Sequence, residues 1–502
     1  MLLVLCTLSL CLVSCGGDKT PDVTQGNQGN QPTEPSKWDD VSFNGTTLYI
    51  SLNSYLQTEV IEVGAEHSNK FIIGPDSYTA DTVQNAVYDR NTLVKDTLGL
   101  DVIYSYHEGR TNTTSPIIDG WVLAATDDTP DLVITGTSGI IRSALAGSLR
   151  NVLDQSEKNY LDFTDSHWYN DYMKATSLSN DKLYALAGDY TIDSFRRSYV
   201  TLVNNDIYNE VFASEGGIES LYEVVEAGDW DYDELVRTAA RAYTDAGTIG
   251  QQDASDVFGI AASATKITRA LFFGSGLDIF NYNEIGNPSY IDDITNIHNY
   301  TDEAINLLSE DYVYLNAKDG VITHFTNGGA LYSFGNFLLS LEGSTIQNMG
   351  SGQAVSAIPA PKYNKDEEYH SLVADSACAG AILMSTSDFT ASTAFMQMMT
   401  ENSGEVFEKY YEVALKYKLS SGAGQVKILD IIKKSITAST AFLYDNYCAR
   451  TLGAATEFRT VYDIIEESVV GKTNTLTSTW QSQIGAMSQQ LATAVEKFNA
   501  LD

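Results

Sequence analysis

A glycine stop followed at once by an apolar run constrains this chain most. Over Ala80–Leu98 the apolar side chains Val83, Ala86, Val87, Leu93, Val94 and Leu98 recur every three or four residues, and Gly99 stands where a helix C-cap favours glycine. The period predicts a helix with one buried stripe. Leu100–Tyr104 (LDVIY) then reads as a strand, Ile117–Ala125 as a helix, and Asp131–Thr135 (DLVIT) as a strand apolar enough to be covered on both faces. With Thr47–Leu52 (TLYISL) before them, these segments alternate as parallel βαβ units. No repeat of 20–50 residues appears, which argues against solenoids and propellers.

The rest of the body supports a large α/β protein. In Trp480–Phe498 the stripe Ile484, Met487, Leu491, Val495 and Phe498 predicts a core-facing helix. Around Gly228–Leu235 three alternate aspartates suggest a calcium loop, but counting from Asp229 the sixth position is Glu234 and the twelfth Ala240, so Asp231 as a helix N-cap with Glu234 three residues on fits better. Trp230 then opens a helix, and packing suits it better than ligand contact.

The first residues do not belong to that body. Residues 1–14 carry no charge and are too short to span a bilayer, so they read as the apolar part of a signal peptide. A basic leader is missing, since Met1 is followed directly by leucine, and the true start is expected upstream. Leu12-Val13-Ser14-Cys15-Gly16 matches a lipobox, which would make Cys15 a lipidated N-terminus. Residues 16–37 hold three of the nine prolines and one aliphatic side chain, Val23, a composition for a tether with a reach of about 25 Å. Cys378 and Cys448 remain in the body; two buried free thiols fit so large a core better than a bond between them.

Charge and motifs exclude more than they assign. The 502 residues include 66 acidic and 30 basic side chains, a net −36 that disfavours nucleic acid and anionic partners. The tether holds two lysines against two aspartates and one glutamate, which leaves −35 on the folded body. Arg196, Arg197 and Arg269 are the basic groups able to reverse that field locally. The six histidines, His67, His107, His167, His298, His324 and His370, show no metal-ligand spacing and read as surface or satisfied loop residues. No phosphate-binding glycine motif is present, and Gly136-Thr137-Ser138-Gly139 falls one residue short of a nucleophile elbow. The pattern implies no metal and no cofactor, and gives no catalytic residue.

Several landmarks together resemble the extracellular solute-binding proteins of ABC importers, the family that includes maltose-binding protein. They are Ala86-Val87-Tyr88-Asp89-Arg90-Asn91, Pro130–Ile134, Lys182–Leu186 leading into Gly188-Asp189-Tyr190, Val203–Tyr208, Gly228-Asp229-Trp230, Phe325–Leu331 and Ala357–Pro361. Ala86–Asn91 and Ile428–Ile432 are similar to a subgroup common in gut Firmicutes. The resemblance implies an α/β fold of the two-lobed periplasmic-binding-protein-like type (type II), with lobes at 39–190 plus 321–376 and at 197–320 plus 379–502. Crossings would fall near Asp189–Arg196 and Asp375–Gly380. Ligand would sit beyond the carboxyl ends of strands, which points to Thr137, Ser138, Asp189, Tyr190, Ser275, Asp278, Asn336, Asp375 and Ser376. Trp168 and Tyr169 are weaker candidates, and the 30 tyrosines make an aromatic sugar platform easy to supply.

The function so implied is a binding module, not an enzyme: a monomeric lipoprotein on the outer face of a Gram-positive cell membrane. It would capture a solute, carbohydrate foremost, and deliver it to two permease subunits and an ATPase. A surface glycoside hydrolase and an adhesion lipoprotein are the alternatives. The first would show facing carboxylates in a cleft, and the second no closing cleft.

Overall fold

The computed structural model describes residues 36–53, 69–108, 115–126, 129–253, 255–316, 323–342, 346, 349, 354–414, 423–452 and 458–501. Residues 1–14, Cys15, tether residues 16–35 and His67 lie outside them. The chain divides into two compact units, Met1–Val41 and Ser42–Asp502. The described part of the first is a short turn in which Ser36 N donates to Asp39 Oδ2 (2.9 Å) and Val41 N to the Trp38 carbonyl (3.0 Å).

In the second unit the predicted helix forms over Thr82–Leu98. Asp81 caps it by accepting from Val83 N and Gln84 N, and Gly99 ends it in the left-handed region at φ 60°. Val83, Ala86, Val87, Val94 and Leu98 are buried, whereas Leu93 faces outward. The C-terminal helix spans Leu476–Asn499; its buried face runs through Trp480, Gln483, Met487, Leu491, Ala494 and Phe498, slightly rotated from the predicted stripe. Asp231 is the N-cap of Tyr232–Ala242 and accepts from Glu234 N (3.0 Å), while the Glu234 carboxylate pairs with Arg237. Trp230 is fully buried and donates to the Pro359 carbonyl (3.0 Å). Cys378 and Cys448 are buried thiols, neither joined in a disulfide.

The strands are β1 (Thr46–Asn53), β2 (Leu100–His107), β3 (Leu132–Gly136), β4 (Tyr199–Asn204), β5 (Phe258–Ser263), β6 (Phe280–Tyr282) and β7 (Pro288–Tyr290). They continue as β8 (Val313–Asn316), β9 (Ala330–Phe337), β10 (Val355–Ile358), β11 (Ser371–Leu372), β12 (Cys378–Ile382) and β13 (Ile436–Thr437). A first sheet has the order β12-β3-β1-β2 and a second β10-β4-β9-β5-β8. β1, β2 and β3 run parallel, with β12 antiparallel on β3. β5 is parallel to β8 and β9, and β4 is antiparallel to β9 and β10.

Two segments pair otherwise than the expected lobe bounds. β9 and β10, expected with the first lobe, belong to the second sheet, while β12, at the start of the segment expected with the second lobe, edges the first. Helices Phe389–Glu401 and Gly404–Ala414 follow β12 and pack on Thr82–Leu98. The physical reason is the pairing itself: Cys378–Ile382 is wholly buried and in full register with Gly136–Leu132, a partner that no local pattern encodes. Helix Ala423–Lys434 returns to the second body, packing on Ile218–Glu226 and β10. The chain passes between the sheets through residues 187–198 and again through 373–377.

Candidate ligand-binding site

Ligands of open α/β sheets sit beyond the carboxyl ends of the strands. In the first sheet those ends carry a polar row. Asn53 closes β1, pairs in register with His107 closing β2, and lies beside Thr135 near the end of β3. Asn53 Nδ2 donates to Thr135 Oγ1 (2.9 Å), His107 Nε2 lies 3.4 Å from the same oxygen, and His107 Nδ1 lies 2.9 Å from Ser51 Oγ. All four residues are buried. Burial pushes the His107 imidazole down to about 4, so it is neutral at physiological pH. A histidine expected on a surface or loop is therefore part of a sheet-end ladder. The strand patterns read one residue further to Asn53 and three further to His107, TLYISLN and LDVIYSYH, were the signal available for it.

Immediately above this row, β3 turns into helix Thr137–Leu145. Thr137 N donates to the Ala377 carbonyl (3.2 Å) and Ser138 N to the Asp375 carbonyl (3.3 Å), so the helix start is docked on the second passage. Thr137 Oγ1 also bonds Tyr172 Oη and donates to the Ala377 carbonyl (3.1 Å). Ser138 Oγ is buried without a hydrogen-bond partner among the described residues. From the other passage, Arg197 donates to Ser376 Oγ (3.3 Å) and to Asp193 Oδ1 (3.1 Å), and Asp193 Oδ2 accepts from Cys378 N (2.8 Å). The fold thus gathers Thr137, Ser138, Asp375 and Ser376 where the two passages meet. It adds Tyr172, Asp193 and Arg197, which sequence reasoning had not placed there.

The other predicted residues lie apart from that junction or have side chains engaged locally. Tyr190 is buried, its hydroxyl donating to the Leu186 carbonyl (2.9 Å) and its carbonyl accepting from Arg90 (3.0 Å). Arg90 and Asn91 of the Ala86–Asn91 landmark hold backbone: the guanidinium also donates to the Phe71 carbonyl (2.8 Å) and Ser403 Oγ (3.0 Å), and Asn91 Nδ2 to the Ile72 carbonyl (2.8 Å). Hydrogen-bonded to neutral oxygens, the buried Arg90 is pulled down to about 10 by desolvation. Asp189 accepts from Tyr169 Oη (2.5 Å) and Lys433 Nζ (2.7 Å). Trp168 is buried and donates to Gln397 Oε1 (2.9 Å). Ser275 Oγ donates to the Phe272 carbonyl, and Asp278 accepts from Phe280 N (3.1 Å) and Tyr282 Oη (3.0 Å), both local bonds.

Asn336 sits at the carboxyl end of β9 in the second sheet, its amide donating to Ser333 Oγ (3.0 Å). Its neighbours make that end close-packed. Gly335 has φ 71°, and a Cβ there would fall 2.0 Å from Lys266 Cβ, so only glycine fits. Phe337 packs on Tyr199 with ring centroids 4.7 Å apart. Two cavities of about 800 and 560 Å³ share Asp171, His370 and Thr437 beside the β11–β13 pair. None of the nine predicted residues lines them, and the larger is edged by charges of both signs, among them Lys362, Lys434, Glu226 and Glu367.

No family model matches the sequence, and no curated protein matches it. Among solved structures, a cyclo/maltodextrin-binding protein complexed with maltotetraose is similar at a TM-score of 0.52 and 13% identity, over 91% of this chain and 97% of that one. The GacH receptor of Streptomyces glaucescens GLA.O (TM-score 0.46, 12% identity, 91% and 100% covered) and maltose-bound MalE3 of T. maritima (0.45, 9%, 89% and 100%) also match. At these identities the likeness is one of fold: a two-lobed periplasmic-binding-protein-like α/β architecture.

Proposed function

We propose that this protein is a solute receptor that holds a neutral carbohydrate between the facing ends of its two sheets and passes it to the permease of an ABC importer. The observation that carries the reading is the junction of Thr137, Ser138, Asp375 and Ser376, set directly on the polar row Asn53–Thr135–His107. Hydroxyl, amide and neutral imidazole groups, with the Asp375 carboxylate as a further acceptor, suit a polyhydroxyl ligand, which needs both donors and acceptors. Asp193 is neutralised by Arg197, and the net −35 of the body disfavours an anion. The structural neighbour at TM-score 0.52 holds maltotetraose, which makes that sugar the first probe.

On this reading no bond is made or broken. Ligand bridges the lobes and favours their closed arrangement, which the permease recognises. Lipid on Cys15 keeps the receptor at the outer membrane face, where it acts as a monomer. Calorimetry against maltooligosaccharides and other neutral glycans, with scattering on the same samples, tests the reading. Saturable heat with a smaller radius of gyration supports it; neither response to any glycan would overturn it.

A further inference from the structure

We propose that Asp189 and Lys433 form a latch between the lobes and set the balance between open and closed receptor without touching ligand. The inference rests on the proposed closure, and on the ligand's identity only for one arm of its test. Asp189 lies in the passage beside the first body, where Tyr169 N bonds the Ala187 carbonyl and the Tyr169 hydroxyl donates to Asp189 Oδ1 (2.5 Å). Lys433 belongs to the opposite body. Its helix, Ala423–Lys434, packs on Ile218–Glu226 and β10, and Gln425 Nε2 of that helix donates to the Ala357 carbonyl in β10 (2.9 Å). From the last turn of that helix Lys433 reaches across: its Nζ lies 2.7 Å from Asp189 Oδ2 and 3.8 Å from the centre of the Phe407 ring, which belongs to the helix packed on Thr82–Leu98.

The pair differs from a surface salt bridge because Asp189 is wholly buried. Desolvation raises the carboxyl even with the lysine, the Tyr169 hydroxyl and His167 pulling the other way. A carboxylate so placed tolerates no lobe arrangement that takes the ammonium away, unless it finds another partner or a proton. The lobe orientation in which Lys433 reaches Asp189 is therefore favoured over its neighbours. A second bridge sits alongside: Arg196 of the passage holds Glu342, which follows β9, through two bonds (2.7 and 2.5 Å), and Tyr410 of the first body donates to the same carboxylate.

The test places spin labels at Leu123→Cys in the first body and Ile249→Cys in the second, both 87% exposed. The interlobe distance is read in the full chain by pulsed electron resonance. Lys433→Met should broaden or displace the distribution, and Lys433→Arg should restore it. Should Lys433→Met not fold, the double variant Asp189→Asn/Lys433→Met, which leaves no unpaired buried charge, carries the same expectation. A Lys433→Met or double-variant distribution matching the unaltered protein would overturn the latch. With maltotetraose as the second probe, the single variant should change affinity at least about 5-fold, the lower range of typical coupling between sites. If the unaltered protein gives no heat with that sugar, the result counts against the carbohydrate reading, and the distance measurement decides the latch.

Discussion

Asp189 and Asp193 lie four residues apart in the same passage, both fully buried, yet they answer to different parts of the molecule. Asp193 finds its cation four residues along its own chain in Arg197, and its second oxygen accepts from Cys378 N where the chain comes back. Asp189 finds its cation on the opposite body, at the end of a flexible lysine. The first fixes how the two passages lie against each other; the second depends on how the lobes are set. On the proposed reading, buried charge does two tasks within five residues: one holds the junction rigid, the other leaves the lobes adjustable. Asp445 completes the series as a buried carboxyl held by neutral donors, Tyr290 Oη (2.8 Å) and Val461 N (2.7 Å).

Breaking the rigid member should cost most. Asp193→Ala strands the buried Arg197 guanidinium and removes the acceptor of Cys378 N, so denaturant unfolding should show a loss of about 3–5 kcal/mol. A loss near that of a surface site would mean that the junction is not held by this pair. Asp445 sharpens the contrast through pH. Burial raises its carboxyl to about 7, against the Tyr290 and Val461 bonds that pull it down. Since the folded-state value lies above the unfolded one, the contribution to stability is complete below about pH 4 and is lost as pH rises through about 7, amounting to at most about 4 kcal/mol. Asp445→Asn should remove that slope, seen as the difference in melting temperature between variant and parent across pH 4–8. At the small end, Lys409→Ala removes a pair with Glu412 that is open to solvent (3.2 Å), and the denaturant midpoint should not move measurably.

The unequal legibility of these features has a physical cause. The helix Thr82–Leu98, its stop at Gly99 and the buried strand after Asp131 were readable because their signals are local: a period, a cap and an apolar run. The gathering of Thr137, Ser138, Asp375 and Ser376 followed from the strand-end rule together with the family resemblance. Asn53 and His107 escaped because a polar residue closing a strand looks like the first residue of a loop until the neighbouring strand ends are in register with it. The membership of β9, β10 and β12 in their sheets was not readable, since each is an apolar strand with no local mark of its partner. The engagement of Asp189 was hidden for a like reason: Lys433 lies 244 residues away.

A crystal structure of the protein grown with the tightest-binding glycan tests the central claim most directly. The account predicts the sugar between the sheets, with hydroxyls on Ser138 and the Asp375–Ser376 segment above the Asn53–Thr135–His107 row, and with Asp189 still bonded to Lys433. A sugar lodged instead in the cavity edged by Lys362, His370 and Glu367, with the junction unoccupied, would contradict it.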